Sequence, residues 1–192
     1  MTAIHLKQVG KALEQDMHLL ALSGSLRHSS SNTALLQAAA NLAPEGVEIT
    51  VYQSLGDLPH FNPDLSEADL PNVTDFIARV RAADGLLISS PEYAHGVPGV
   101  LKNALDWLVG GDAFYLKPVA LFNASPLSTY AQASLTEIIT VMSGRIVPEA
   151  SITLPLRGKN LDAMGIVANM EYADVIRAAL AAFARAIEHE PR

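Results

Sequence analysis

Ser23-Gly-Ser-Leu-Arg-His-Ser-Ser-Ser-Asn32 lies between a short apolar run, His18-Leu-Leu-Ala-Leu22, and an alanine- and leucine-rich segment, Thr33 to Ala43. That order reads as strand, polar loop, helix. The loop holds five serine hydroxyls, one glycine, one arginine, and an asparagine placed to cap the helix. Hydroxyls and unpaired backbone N–H groups at a helix N-terminus favour an anion, because the helix dipole adds to the free donors. Arg27 adds a planar, permanently charged partner for phosphate oxygens. The stretch predicts a phosphate site at the end of the first strand of an α/β domain.

Working outward, β-like runs alternate with helical ones. Strands are predicted at Leu19–Ser23, Val47–Tyr52, Leu86–Ser89 and Val119–Asn123, with a fifth inside Arg145–Leu154. The third and fourth are almost continuously apolar, which suits parallel strands covered on both faces. Helices are predicted at Asn32–Ala43, Asn72–Ala83, Gly99–Val109, Leu127–Met142 and about Glu171–Glu188; the last places Tyr172, Ile176, Leu180, Phe183 and Ile187 on one face. Alternation of this kind specifies a doubly wound three-layer α/β/α sandwich. Ser54–Pro71 reads as a long surface loop rich in Pro, Asp and Asn. Residues 1–17 read as an N-terminal extension or arm, and 18–192 as a single domain.

Composition narrows the function classes. A chain of 192 residues without cysteine has no disulfide, thiolate metal site or cysteine nucleophile. A formal charge of −7, with scattered basic residues, disfavours nucleic acid as a partner. No run approaches the ~18 apolar residues needed to cross a bilayer, and residues 1–17 lack a secretory signal's apolar block. The expectation is a cytoplasmic protein with no membrane partner. The six histidines are dispersed, and no metal site is expected. The Ser-rich loop is neither a P-loop, lacking Gly-Lys-Ser/Thr, nor a Gly-x-Gly-x-x-Gly fingerprint. Gly24-Ser-Leu-Arg is not a nucleophile elbow, so Ser25 is not read as a catalytic serine.

A second loop follows the third strand: Ser90-Pro-Glu-Tyr-Ala-His-Gly-Val-Pro98, then Gly99-Val-Leu-Lys-Asn-Ala-Leu-Asp-Trp107. Pro91 fixes φ and removes a donor, Gly96 permits an unusual backbone angle, and Pro98 can open the next helix. A stiff loop of this kind presents its backbone to the edge of a planar heteroaromatic ring, with Tyr93 as a side wall. His95 reads as a solvated or packing residue rather than a proton donor. Glu92 could cap a helix, pair across an interface, or sit near the ring.

These two motifs, in this order and spacing, resemble those of the NADPH-dependent FMN reductase family, which includes quinone, chromate and azo-dye reductases. The resemblance spans about residues 18 to 190. It implies a flavodoxin-like fold with a five-stranded parallel sheet in the order 2-1-3-4-5 and FMN at the switch point between strands one and three. By position, Ser25, Arg27, Ser30, Ser31 and Asn32 would hold the FMN phosphate. Pro91, Glu92, Tyr93, Ala94 and Gly96 would border the isoalloxazine, largely through backbone, and Ser125 would supply a contact from the segment after strand four. Many relatives carry Asn at the position of Ala94, and a glycine-rich stretch where this chain reads Ser125-Pro-Leu-Ser-Thr-Tyr-Ala-Gln-Ala133.

The resemblance further implies NADPH or NADH as co-substrate, a small-molecule electron acceptor such as free FMN or a quinone, and a homodimer or homotetramer. Because hydride passes directly from nicotinamide to flavin, no catalytic side chain is assigned. A flavodoxin-like electron carrier that does not oxidise NAD(P)H is the alternative, and a relative that has lost its flavin is a third. Trp107, Phe114 and Tyr115 could supply an apolar subunit interface or complete the core.

Overall fold

The computed structural model describes residues 17–189; the N-terminal extension expected at 1–17 lies outside them, except Met17, which opens the first strand. Among the described residues, six strands form the sheet: β1 (Met17–Ser23), β2 (Val47–Val51), β3 (Gly85–Ser89), β4 (Pro118–Asn123), β5 (Arg145–Ile146) and β6 (Ile152–Thr153). Six α-helices accompany them: α1 (Ser31–Asn41), α2 (Pro71–Ala82), α3 (Gly99–Asp106), α4 (Thr129–Val141), α5 (Ala163–Ala168) and α6 (Met170–Glu188). The sheet is parallel in the order β2-β1-β3-β4-β5, with β6 also pairing with β4. This is the predicted flavodoxin-like order. The chain reverses its direction of sheet growth between β1 and β3, whose register runs from Leu19 opposite Gly85 to Ser23 opposite Ser89.

The core explains why the central strands are apolar throughout. Leu19 and Ala21 of β1, Leu87 of β3, and Ala120 and Phe122 of β4 face one cluster, shared with α1, α5 and α6. Leu20, Leu22, Leu86, Ile88, Val119 and Leu121 face the other, shared with α2, α3 and α4. Alternate residues of one strand therefore enter opposite cores, and neither face reaches water. Trp107 and Phe114 are buried in the second cluster while Tyr115 is exposed, so two of the three aromatics considered for an interface complete the core.

Three differences from the expected elements have local causes. The fifth strand is split into β5 and β6 by a 3-10 turn at Pro148–Ala150. Across the gap, Ser151 Oγ accepts from Leu121 N at 3.0 Å and donates to Val147 O at 3.0 Å, standing in for a ladder bond. Helix α3 ends at Asp106, because Leu108 and Val109 N donate three residues back, a tighter turn that precedes Gly110-Gly111. The short α5, capped by Asp162 Oδ1 accepting from Gly165 N at 2.7 Å, was not anticipated.

The long loop is pinned to α3. Asn103 Nδ2 and Trp107 Nε1 both donate to Pro59 O, at 2.9 and 2.8 Å, and Phe61 N donates to Asn103 Oδ1. Phe61 meets Trp107 edge to face at 5.1 Å. Lys117 is half-buried, and burial pushes its ammonium pKa down; its Nζ donates to Ala83 O and Arg81 O, compensating the C-terminal end of α2. Among the described residues, no helix is long and apolar enough to cross a membrane.

Candidate cofactor-binding cleft

A cleft of about 570 Å³ opens beyond the carboxyl ends of β1, β3, β4 and β6. Its first wall is the Ser-rich loop. β1 ends at Ser23, and Gly24 N donates to Ser89 O at 2.8 Å as the chain turns away from the sheet. A Cβ on Gly24 would lie 3.2 Å from Leu101 Cδ2 and from Ser90 Oγ, so the loop crosses α3 at a spacing that a side chain would crowd. Ser23 Oγ and Thr33 Oγ1 share a 2.7 Å hydrogen bond, tying the strand end to the first turn of α1. Ser25 Oγ accepts from Arg27 N at 3.3 Å, folding the loop back on itself.

The cap of α1 is Ser30, not Asn32: Ser30 is extended, and its Oγ accepts from Thr33 N at 3.3 Å. Asn32 lies one step inside the helix and is buried, and its Oδ1 accepts from Ser89 Oγ of β3 at 2.9 Å. That partner on another strand draws the side chain inward and leaves the cap to the serine. Ser25, Arg27, Ser30, Ser31 and Asn32, with Ser29, line the cleft together. The N–H groups of Ser31 and Asn32 belong to the first helical turn and have no intrahelical acceptor. Arg27 is exposed and makes no ion pair among the described residues.

The second wall is Pro91-Glu-Tyr93. Ala94 and Gly96 do not line the cleft; they build the turn that carries Tyr93. Tyr93 and Gly96 exchange backbone hydrogen bonds at 3.2 and 3.0 Å, and the residues between them, Ala94 and His95, have φ of 49° and 59°. Positive φ at both central positions is the type I′ pattern. The unusual backbone angle expected at Gly96 thus falls on Ala94 and His95, because the turn starts at Tyr93. Left-handed backbone costs an L-residue roughly 1 kcal/mol or more, so other contacts must hold the turn. His95 stacks on Tyr130 of α4, with ring centroids 4.1 Å apart and planes 18° from parallel. Glu92 Oε2 accepts from Ala131 N at 2.9 Å. Of the alternatives open for Glu92, the structure shows a cap: a carboxylate on the first turn of α4, where the dipole favours it.

The third wall comes from the chain after β4. Asn123 Oδ1 accepts from Ser125 N, and Ser125 Oγ accepts from Leu127 N, at 3.0 and 3.2 Å. Ser125 lines the cleft with its hydroxyl proton still able to donate. A fourth side was not anticipated: Arg157, Gly158 and Asn160, on the turn after β6. The sequence signal there was weak, a Gly within Arg157-Gly-Lys-Asn160 following the last strand.

Among the described residues that line the cleft there is no histidine and one carboxylate, Glu92, and the hydroxyl of Ser25 is paired with backbone. The cleft combines an anion cradle at one end with a rigid backbone edge and an aromatic wall at the other. A volume of about 570 Å³ lies within the ordinary range for cofactor pockets.

The family model described as NADPH-dependent FMN reductase matches residues 17–157. An NAD(P)H-dependent FMN reductase of Pseudomonas aeruginosa is 40% identical over 116 residues, 59% of this chain and 62% of that protein. A quinone reductase of Escherichia coli K12 is 35% identical over 98 residues, 50% of this chain and 52% of its own length. The chain thus spans little more than half of the curated relatives it matches. Among solved structures, the flavoenzyme NAD(P)H:(acceptor) oxidoreductase FerB of Paracoccus denitrificans superposes with a TM-score of 0.77 and 31% identity, covering 90% of this chain and 97% of that one.

Proposed function

The chain belongs to the NADPH-dependent FMN reductase family, and from that premise we propose that it is an FMN-dependent oxidoreductase that takes hydride from NADPH or NADH and reduces a small-molecule acceptor such as a quinone. One observation carries the reading: an anion cradle and a stiff Pro-Glu-Tyr loop border a single cleft at the β1/β3 switch point, where open α/β sheets bind ligands.

The residues present fit FMN. The N–H groups of Ser31 and Asn32, the hydroxyls of Ser25 and Ser30, and the Arg27 guanidinium would take the terminal phosphate. Pro91, Glu92 and Tyr93 would border the ring, with Ala94 and Gly96 holding Tyr93 in place, and Ser125 would donate from the third wall. FMN supplies the two-electron chemistry when bound, accepting hydride and passing electrons on. The protein's part is orientation. Glu92 and His95 tie the Tyr93 loop to α4, so a ring edge bound there would meet a backbone already in place.

Anaerobic addition of NADPH or NADH to the FMN-loaded protein tests the proposal. The flavin absorption near its visible maximum should bleach and return when a quinone is added. Retention of yellow colour with both nicotinamides would identify an electron carrier instead.

A further inference from the structure

Among the described residues that line the cleft, Arg157 is the one charged side chain that the FMN reading leaves without a role. The turn that carries it is held firmly. Leu154 N donates to Asn123 O at 2.8 Å and Leu156 N to Ala124 O at 3.1 Å, extending the β4–β6 pairing into the cleft wall. Leu154 and Leu156 are both buried in the core on the α1/α6 side of the sheet. Past Arg157 the chain turns through Gly158, with φ of 78°, and Asn160, with φ of 51°. Lys159 N donates back to Leu156 O at 3.1 Å.

The two cations of this turn have different partners. Lys159 points to α6, where its Nζ meets the Tyr172 hydroxyl and lies 4.9 Å from the ring centroid. Arg157 lines the cleft, is exposed, and has no ion pair among the described residues. Among the described residues that line the cleft, the one carboxylate, Glu92, is turned to Ala131 N. With Glu92 committed to α4, no carboxylate among the described residues that line the cleft competes for Arg157, whose guanidinium is left to pair with an anionic group of a ligand. Arg27 and the α1 N-terminus already answer the FMN phosphate from the wall after β1, whereas Arg157 stands on the wall after β6.

We infer that Arg157 binds a phosphate of the nicotinamide co-substrate, so that the turn after β6 is a recognition element for the dinucleotide and not for FMN. The inference rests on the FMN-reductase reading. A dinucleotide offers two sources of that phosphate, the bridging diphosphate and the 2′-phosphate of NADPH, and a guanidinium fork suits either one.

Calorimetric titration of the FMN-loaded protein with 2′,5′-ADP and with 5′-ADP separates the sources. In Arg157→Ala, affinity for at least one probe should fall about tenfold or more, the scale of a charge-assisted hydrogen bond. FMN affinity should stay within about twofold, since β6 stands three strands from β1, whose loop carries Arg27. Loss confined to 2′,5′-ADP assigns the 2′-phosphate and should raise KM for NADPH but not for NADH. Loss confined to 5′-ADP, or shared by both probes, assigns the diphosphate and should raise KM for both nicotinamides. Arg157→Lys, which keeps the charge and loses the fork, should fall between wild type and alanine. Unchanged binding of both probes in the alanine variant, no binding of either to wild type, or an equal fall in FMN affinity would overturn the inference. Failure of either nicotinamide to bleach the wild-type flavin would instead overturn the FMN-reductase reading itself.

Discussion

Substituting Glu92 distinguishes a residue that positions the Pro-Glu-Tyr loop from one that touches the reacting ring. Its Oε2 accepts from Ala131 N at 2.9 Å, three residues after Ser128 in the first turn of α4, and the side chain is half-buried. Ser128, the residue that precedes α4, makes no side-chain capping bond of its own, so the carboxylate from the neighbouring loop does that work. Glu92→Ala should cost about 1–2 kcal/mol, from a lost cap and a lost charge on the helix dipole. For a domain of this size that corresponds to a fall in Tm of about 2–8 °C. Glu92→Gln keeps a carbonyl acceptor and loses only the charge, so its cost should be about 0.3–1 kcal/mol. Urea denaturation and thermal melts should be run without FMN, because a bound ligand would add its own stabilisation. Wild-type stability in Glu92→Ala, or equal damage from alanine and glutamine, would refute the capping account. A stable alanine variant that binds FMN and cannot be reduced would place Glu92 at the ring.

Two further predictions concern the fold. A Cβ on Gly144 would sit 2.5 Å from Phe114 Cε1 and 2.9 Å from Ile139 Cγ2, so Gly144→Ala should lose about 1–3 kcal/mol in urea denaturation by overpacking. Gly110→Ala meets nothing within 4 Å and should stay within about 0.5 kcal/mol of wild type. Equal stabilities for the two variants would contradict the close approach of Phe114 and Ile139 to Gly144. The Tyr52 phenol is pushed above its ordinary value of 10.0, chiefly by burial and then by the Asp75 carboxylate, with Arg79 opposing. A raised folded value means the protonated phenol contributes stability in full below pH 10.0, and that contribution fades as pH climbs through the raised value. The stability gap between wild type and Tyr52→Phe should therefore narrow in urea melts stepped from about pH 9 to about pH 11. A constant gap would remove Tyr52 from the alkaline response.

The sequence was legible where structure depends on a single element. Leu86–Ile88 and Val119–Phe122 are apolar without interruption because each strand feeds two cores, and that pattern alone predicts a doubly covered parallel sheet. The family motifs placed the two main cleft loops, since both lie at the carboxyl ends of adjacent strands. What escaped depended on distant partners. Ser30 and Asn32 are both good capping residues, and only Ser89, on β3, decides that Asn32 turns inward. The positive φ at Ala94 and His95 is sustained by Tyr130 and by the Glu92 bond to α4, nearly forty residues away in sequence. Arg157 reaches the cleft because Leu154 and Leu156 pair with Asn123 and Ala124, a register no local pattern announces. The split of the last strand follows from Pro148 and from a serine hydroxyl in place of a ladder bond.

Whether the cradle at the head of α1 holds the phosphate of FMN is tested most directly by comparing FMN with riboflavin, which lacks that phosphate. Fluorescence titration of the flavin-free protein should show FMN binding at least about a hundredfold more tightly than riboflavin, the product of two or more charge-assisted hydrogen bonds. Arg27→Ala should weaken FMN by about tenfold or more and leave riboflavin nearly unchanged. Equal affinity for the two flavins, or an Arg27→Ala loss of the same size for both, would contradict the account.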